Sequence, residues 1–237
     1  MTAPRLRELP DRYALVAALT AVCRAAIGEA LAARGRASVA LSGGTTPAPV
    51  YRTLAGEPLN WAGVTLALVD ERWVAPDHEA SNERLVRDCF AGPLAAGARL
   101  AAMKTAAARP ADAVPEVERN YAPLRPFDLV VLGMGADGHV ASWFPRAEGL
   151  SEALDPKGSA TVASVRAVGA PVAGAYVERM TLTRPAVGEA RRAVLVITGA
   201  DKRAAYLSAA EAGAEADMPV RALWRAGVAA PEAYWAP

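Results

Sequence analysis

The chain is short of the residues that build metal and redox centres. Of its 237 residues, two are cysteine and two are histidine. Cys23 and Cys89 belong to no Cys-x-x-Cys pair and no Cys/His cluster, so neither a disulfide framework nor a structural zinc site is expected. With His78 and His139 alone, a His-rich metal centre is excluded, and no metal is expected. The formal net charge is +1, so bulk charge implies no nucleic acid or other polyanion as partner. A charge-free apolar run of about 18 residues is absent, so no membrane helix is expected. The first residues, MTAPRLRELPDR, lack the apolar core of a signal peptide, and a cytoplasmic protein is the expectation.

What is present is apolar. Hydrophobic residues make up 53% of the chain, which excludes general disorder, and the length suits one α/β domain over residues 1–237. Residues 11–34 read as an amphipathic helix capped by Asp11 and ended by Gly35. Apolar runs at 37–41, 64–69, 129–132 and 193–197 read as strands, as do 160–168, 178–183, 220–223 and 234–235. Helices are expected from Pro47, from Ser81 or Asn82 to Phe90, near 112–121, and from Lys202 to about Gly213. Strand and helix alternate along the chain, which predicts a doubly wound, mostly parallel sheet.

The chemistry is concentrated at 128–145, DLVVLGMGADGHVASWFP. A buried strand breaks into Gly133, Gly135 and Gly138, with Asp137 and His139 one residue apart, and Pro145 limits any helix begun at Val140. GMGADG fits G-x-G-x-x-G, but the dinucleotide reading needs a long helix next and an acid ending the following strand, and Asp155 lies beside Pro156 instead. An ordinary tight turn with an exposed histidine is a second reading. The third is a general base, His139, on a loop that lets substrate approach the backbone.

Other strands end in matching loops. Ala37–Leu41 runs into SGGTTP, where Ser42, Gly43, Gly44 and Thr45 precede a helix start suited to an anion; the alternative is a plain helix cap. This is neither a Walker A loop nor a G-x-S-x-G elbow. Asp70-Glu71-Arg72 closes another strand and, taken alone, reads as a solvated rim, with His78 beyond it as a surface residue. Ala193–Ile197 ends in TGADK, with Lys202 in the next helix, and Arg179 lies in the 178–183 strand. The carboxyl ends of such strands can share one edge, where ligands bind in open α/β sheets. Four polar loops there favour an enzyme over an ordinary turn.

The set SGGTTP (42–47), VDERWV (69–74) with SNERL (81–85), GMGADGHVASWFP (133–145), RMTLT (179–183) and TGADKR (198–203) resembles the 6-phosphogluconolactonases over nearly the whole chain. The resemblance implies a Rossmann-like three-layer α/β/α sandwich. It implies hydrolysis of 6-phospho-D-glucono-1,5-lactone to 6-phosphogluconate in the oxidative pentose phosphate pathway, with no cofactor. By the same resemblance His139 is the general base, Asp137 its neighbouring carboxylate and Arg72 an arginine near the reacting centre. Ser42, Gly43, Gly44, Thr45, Gly138, Arg179 and Lys202 match positions that hold sugar phosphate. The implied partner is a small sugar-phosphate lactone, with no nucleic acid or membrane, and a monomer or small homo-oligomer. Val140, Trp143 and Ala75 depart from the residues usual in that family. Two rivals share the fold. A glucosamine-6-phosphate deaminase has a Glu five residues after the motif histidine, where this chain has Phe144. A sugar-phosphate sensor would carry a helix-turn-helix domain, for which 237 residues leave no room.

Overall fold

The computed structural model describes residues 6–225 and 231–237; the first five residues of the amino-terminal stretch read above lie outside it. Its strands are β1 (Leu6–Glu8), β2 (Ala37–Leu41), β3 (Val64–Leu68), β4 (Asp70–Arg72), β5 (Arg99–Ala101), β6 (Leu129–Gly133), β7 (Val162–Arg166), β8 (Glu178–Leu182), β9 (Ala193–Thr198) and β10 (Glu232–Ala236). Seven of them form one sheet in the order β1-β10-β9-β6-β2-β3-β5, and every neighbouring pair is parallel. Helices cover both faces, giving the Rossmann-like α/β/α sandwich. Burial on both faces is why Val39–Leu41, Leu129–Leu132 and Val194–Ile197 are continuous apolar runs, at most 1% exposed, instead of alternating ones.

The helices are α1 (Arg12–Arg34), α2 (Ala48–Ala55), α3 (Asn82–Cys89), α4 (Ala91–Ala95), α5 (Pro110–Tyr121), α6 (Leu150–Leu154), α7 (Arg184–Gly188), α8 (Ala200–Ala209) and α9 (Ala222–Arg225). In α1, the Asp11 carboxylate accepts from Ala14 N at 2.8 Å, and Gly35 ends the helix at φ 66° with its N–H on Leu31 O. By length and composition alone α1 could cross a membrane. It carries Arg24 and Glu29 in mid-helix, and it buries Leu15, Leu19, Cys23, Ile27 and Ala30 against the sheet and α2, as a core helix does. The sheet's edge strand β5 is tied to its neighbour by one phenol. Tyr121 Oη donates to Ala101 O at 2.9 Å and accepts from Leu68 N at 3.0 Å.

The chain leaves the large sheet at Val69. Its N–H still reaches Leu41 O, while its carbonyl accepts from Leu182 N of a second sheet. That sheet is antiparallel, in the order β4-β8-β7. Two expectations change here. Residues 220–223 are not a strand, since Pro219–Arg221 form a 3₁₀ turn leading into α9. So short an apolar run does not distinguish strand from helix, and Pro219 with the bond from Val220 N to Gly138 O sets the turn. No helix starts at Val140 either; residues 134–143 close on themselves through bridges from Val140 to Met134 and Trp143.

Candidate active site

The loops after β2, β6 and β9 meet β4 and β8 around a cavity of about 230 Å³. Ser42, Gly43, Gly44, Thr45, Arg72, His139, Arg179 and Lys202 all line it. Asp137 stands behind His139. Gly138 lies outside the lining: its α-carbon faces Met218, where an added Cβ would sit 3.1 Å from the methionine methyl, and its φ of +80° suits glycine.

The loop after β6 is built to present an imidazole. Gly135 N donates to His139 O at 2.9 Å and Gly138 N to Gly135 O at 3.0 Å. A Cβ on Gly135 would lie 2.2 Å from His139 Nδ1, so only glycine leaves the ring its place. Nδ1 lies 2.6 Å from Asp137 Oδ1, which also accepts the His139 backbone N–H at 3.2 Å. The ring stacks on Phe144 at 4.5 Å between centroids and 29° between planes. Burial works to raise the Asp137 carboxyl, but its bond to His139 and the imidazole's charge outweigh this and hold it below its ordinary value. An ionised Asp137 only accepts, so the neutral ring carries its proton on Nδ1 and its lone pair on Nε2.

Three cations line the same cavity. Arg179 is 4% exposed; its Nε donates to Tyr176 O at 2.6 Å, its Nη1 lies 3.8 Å from Asp70 Oδ2, and its guanidinium sits 5.2 Å from the Phe144 ring centre. Burial lowers its pKa to about 10, with Asp70 opposing and Arg72 assisting, so it remains a cation at neutral pH. Burial also lowers Lys202, and the negative charge of Asp137 partly restores it. Arg72 donates from Nη1 to Ala80 O at 2.6 Å, and its Nε is buried without a partner. Ser42 Oγ is likewise buried and unpartnered among the described residues.

Asp70-Glu71-Arg72 is not a solvated rim. Asp70 is 6% exposed and Glu71 0%. The Glu71 carboxylate accepts from Arg72 N, Asn82 N and Glu83 N, each at 2.8 Å, and from Ser81 Oγ at 2.9 Å. Burial pushes this carboxyl upward against those four donors. Asp70 accepts from Ser142 Oγ at 2.5 Å and from Asn82 Nδ2 at 3.1 Å. Asn82 in turn fills the space that a Gly43 side chain would need, 1.8 Å from the added Cβ. Asp70, Glu71, Asn82 and Ser142 are thus site residues that the sequence reading passed over. The signal for them was Ser81-Asn82 opening a helix ten residues after the acidic pair. His78 is half-buried, edge-on to Tyr176 at 5.3 Å, and outside the lining. Among the described residues no group of three or more His, Cys, Asp or Glu side chains is placed to hold a metal ion.

This topology, with its cavity at the carboxyl edge of a parallel sheet, is shared with a class of sugar-phosphate proteins. Residues 10–235 match the family of glucosamine-6-phosphate isomerases/6-phosphogluconolactonase. A 6-phosphogluconolactonase of Rhizobium meliloti (strain 1021) is 41% identical over 225 residues, covering 94% of this chain and 95% of the relative. One from Pseudomonas putida is 34% identical and covers 99% and 94%. The crystal structure of a 6-phosphogluconolactonase from Shewanella baltica OS155 superposes with a TM-score of 0.91 at 33% identity, covering 99% of this chain and 98% of that one. The chain belongs to this family.

The depressed Asp137 carboxyl makes a prediction about pH. Its contribution to stability is complete above the ordinary value of 3.8 and is lost as pH falls through the lower, folded value. Asp137→Asn should therefore flatten the acid limb of the stability curve below about pH 4, measured by urea unfolding, and lower stability near pH 7 by an amount that does not vary with pH there.

Proposed function

We propose that this chain is a soluble, cytoplasmic 6-phosphogluconolactonase that hydrolyses 6-phospho-D-glucono-1,5-lactone with His139 as general base. The observation that carries the reading is the Asp137–His139 pair, 2.6 Å apart, in a cavity also lined by Arg72, Arg179 and Lys202. The family membership and the printed names of the relatives support the substrate. A δ-lactone is an activated ester, so water suffices as nucleophile once a base is at hand.

Nε2 takes a proton from water as the water oxygen attacks C1. The C1 carbonyl π bond breaks and its electrons go to the carbonyl oxygen. Arg72 or loop N–H groups stabilise that oxyanion, a contribution of roughly 3–4 kcal/mol for one donor. The imidazolium is held by Asp137. As the tetrahedral adduct collapses, the bond from C1 to the ring oxygen breaks, and the proton passes from Nε2 to that oxygen to form the new hydroxyl. The product acid releases its proton to solvent, and His139 ends neutral. The 6-phosphate, held by Lys202, Arg179 and the Ser42–Thr45 loop, fixes C1 against the base. Phe144 supports this reading over an isomerase relay. Where that relay uses a carboxylate, this chain packs an aromatic ring on His139.

The test is decay of 6-phosphogluconolactone generated in situ, compared with its spontaneous rate and with the non-phosphorylated lactone. Acceleration confined to the phosphorylated lactone is expected; none above background would overturn the reading. His139→Ala should lower kcat by ~10²–10⁴-fold while retaining product affinity. Lys202→Ala should act chiefly on KM, and an unchanged KM would move the phosphate elsewhere.

A further inference from the structure

A second cavity, about 630 Å³, opens at the amino-terminal edge of the sheet and runs along the edge strand β5 to Lys104 and Thr105. Its floor crosses three neighbouring strands at one level, where Ser38 of β2 pairs with Thr65 of β3 and Thr65 with Arg99 of β5. Six cations line it: Arg34, Arg36, Arg99, Lys104, Arg125 and Arg191. The only carboxylates in the lining are Glu116 and Asp128. Glu189, from outside it, pairs with Arg125 at 2.6 Å. Positive groups still exceed negative ones by three, in a chain whose whole net charge is +1. The imbalance is local, which composition alone does not show.

Part of this wall is fixed. Asp128, 7% exposed, accepts the Ser38 N–H at 2.9 Å and pairs with two guanidiniums at once, those of Arg34 and, at 3.3 Å, Arg191. One buried anion thus pins two cations and leaves one charge unmatched. Lys104 is held over the Trp73 ring, 4.4 Å from its centre. Arg36 and Arg99 differ. Both are exposed, and neither side chain makes a hydrogen bond or ion pair with any described residue. The Asn120 amide and Thr65 hydroxyl add neutral donors in the same lining.

We propose that this groove is a second anion site, separate from the catalytic cavity, for a ligand with two or more linked phosphate groups. Arginine forks match phosphate oxygens in pairs, and several guanidiniums around one space suit more than one phosphate. The volume lies in the range of small-ligand pockets, about 300–1,000 Å³, and far exceeds what one phosphate fills. The linked phosphates belong to an inorganic oligophosphate or to a nucleotide.

Calorimetric titration with inorganic triphosphate, ADP and orthophosphate at fixed ionic strength tests this. Triphosphate and ADP should bind and orthophosphate should bind far more weakly. Tighter binding of ADP assigns a nucleotide, and equal or weaker binding a bare oligophosphate. Arg36→Glu with Arg99→Glu should weaken the affinity by about tenfold or more, and the milder Arg36→Gln with Arg99→Gln should weaken it less. Lys202→Ala in the catalytic cavity should leave it unchanged. Absence of binding, or binding lost with Lys202→Ala and kept in the Arg36/Arg99 variants, would overturn the proposal.

Discussion

The seam between the two sheets is held by one buried carboxylate. Glu71 sits where the chain leaves the parallel sheet, and burying an unpaired anion there would be destabilising by several kcal/mol. Four donors converge on it, three of them backbone N–H groups, and the two from Asn82 and Glu83 open helix α3. Each such bond contributes roughly 1.5–3 kcal/mol, and the helix dipole favours the charge further. With Glu71 fixed, its neighbours on either side, Asp70 and Arg72, face the cavity. Asn82 is pinned beside Gly43, and Asp70 reaches Ser142 and Arg179. A single anion thus registers the Ser42 loop, the Arg179 strand and the loop after His139 against one another.

The two edges of the large sheet carry different electrostatics. At the carboxyl edge three cations share a small cavity, where Tyr176 O and Asp70 hold Arg179 and Ala80 O holds Arg72. At the amino edge two arginines have no such partners. The strand directions put these features on opposite sides because all seven strands run the same way. The parallel sheet therefore presents two cation clusters, and each has members held by bonds and members left without one among the described residues.

The longer strands and the long helix were legible because their signals are local, whereas β1, β4 and β5, three residues each, were too short to show a pattern. Asp11, Gly35 and the apolar runs at 37–41, 129–132 and 193–197 mark their own elements. The His139 loop was legible because glycine spacing and a histidine beside an acid occur within one short stretch. Glu71 was not, since a run of charges at a strand end looks the same whether water or a helix terminus receives it. Only the tertiary approach of residues 81–83, ten and more positions away, decides. The second sheet was hidden for the same reason, because a strand's pattern does not say which partner it takes. Phe144 was noted for the carboxylate it replaces, but its stacking on His139 depends on the fold of residues 134–143.

The account rests on which imidazole nitrogen of His139 is bare. The two histidines are held in opposite ways: Asp137 accepts a hydrogen bond from Nδ1–H of His139, whereas Nδ1 of His78 accepts the Ala80 N–H at 3.0 Å. Nitrogen NMR of isotope-labelled histidine at neutral pH reads both tautomers in one spectrum, with His78 as the internal contrast. The account predicts Nδ1–H with an unprotonated Nε2 at His139, and Nε2–H at His78. An Nε2–H tautomer at His139 would leave no lone pair facing the cavity and would contradict it.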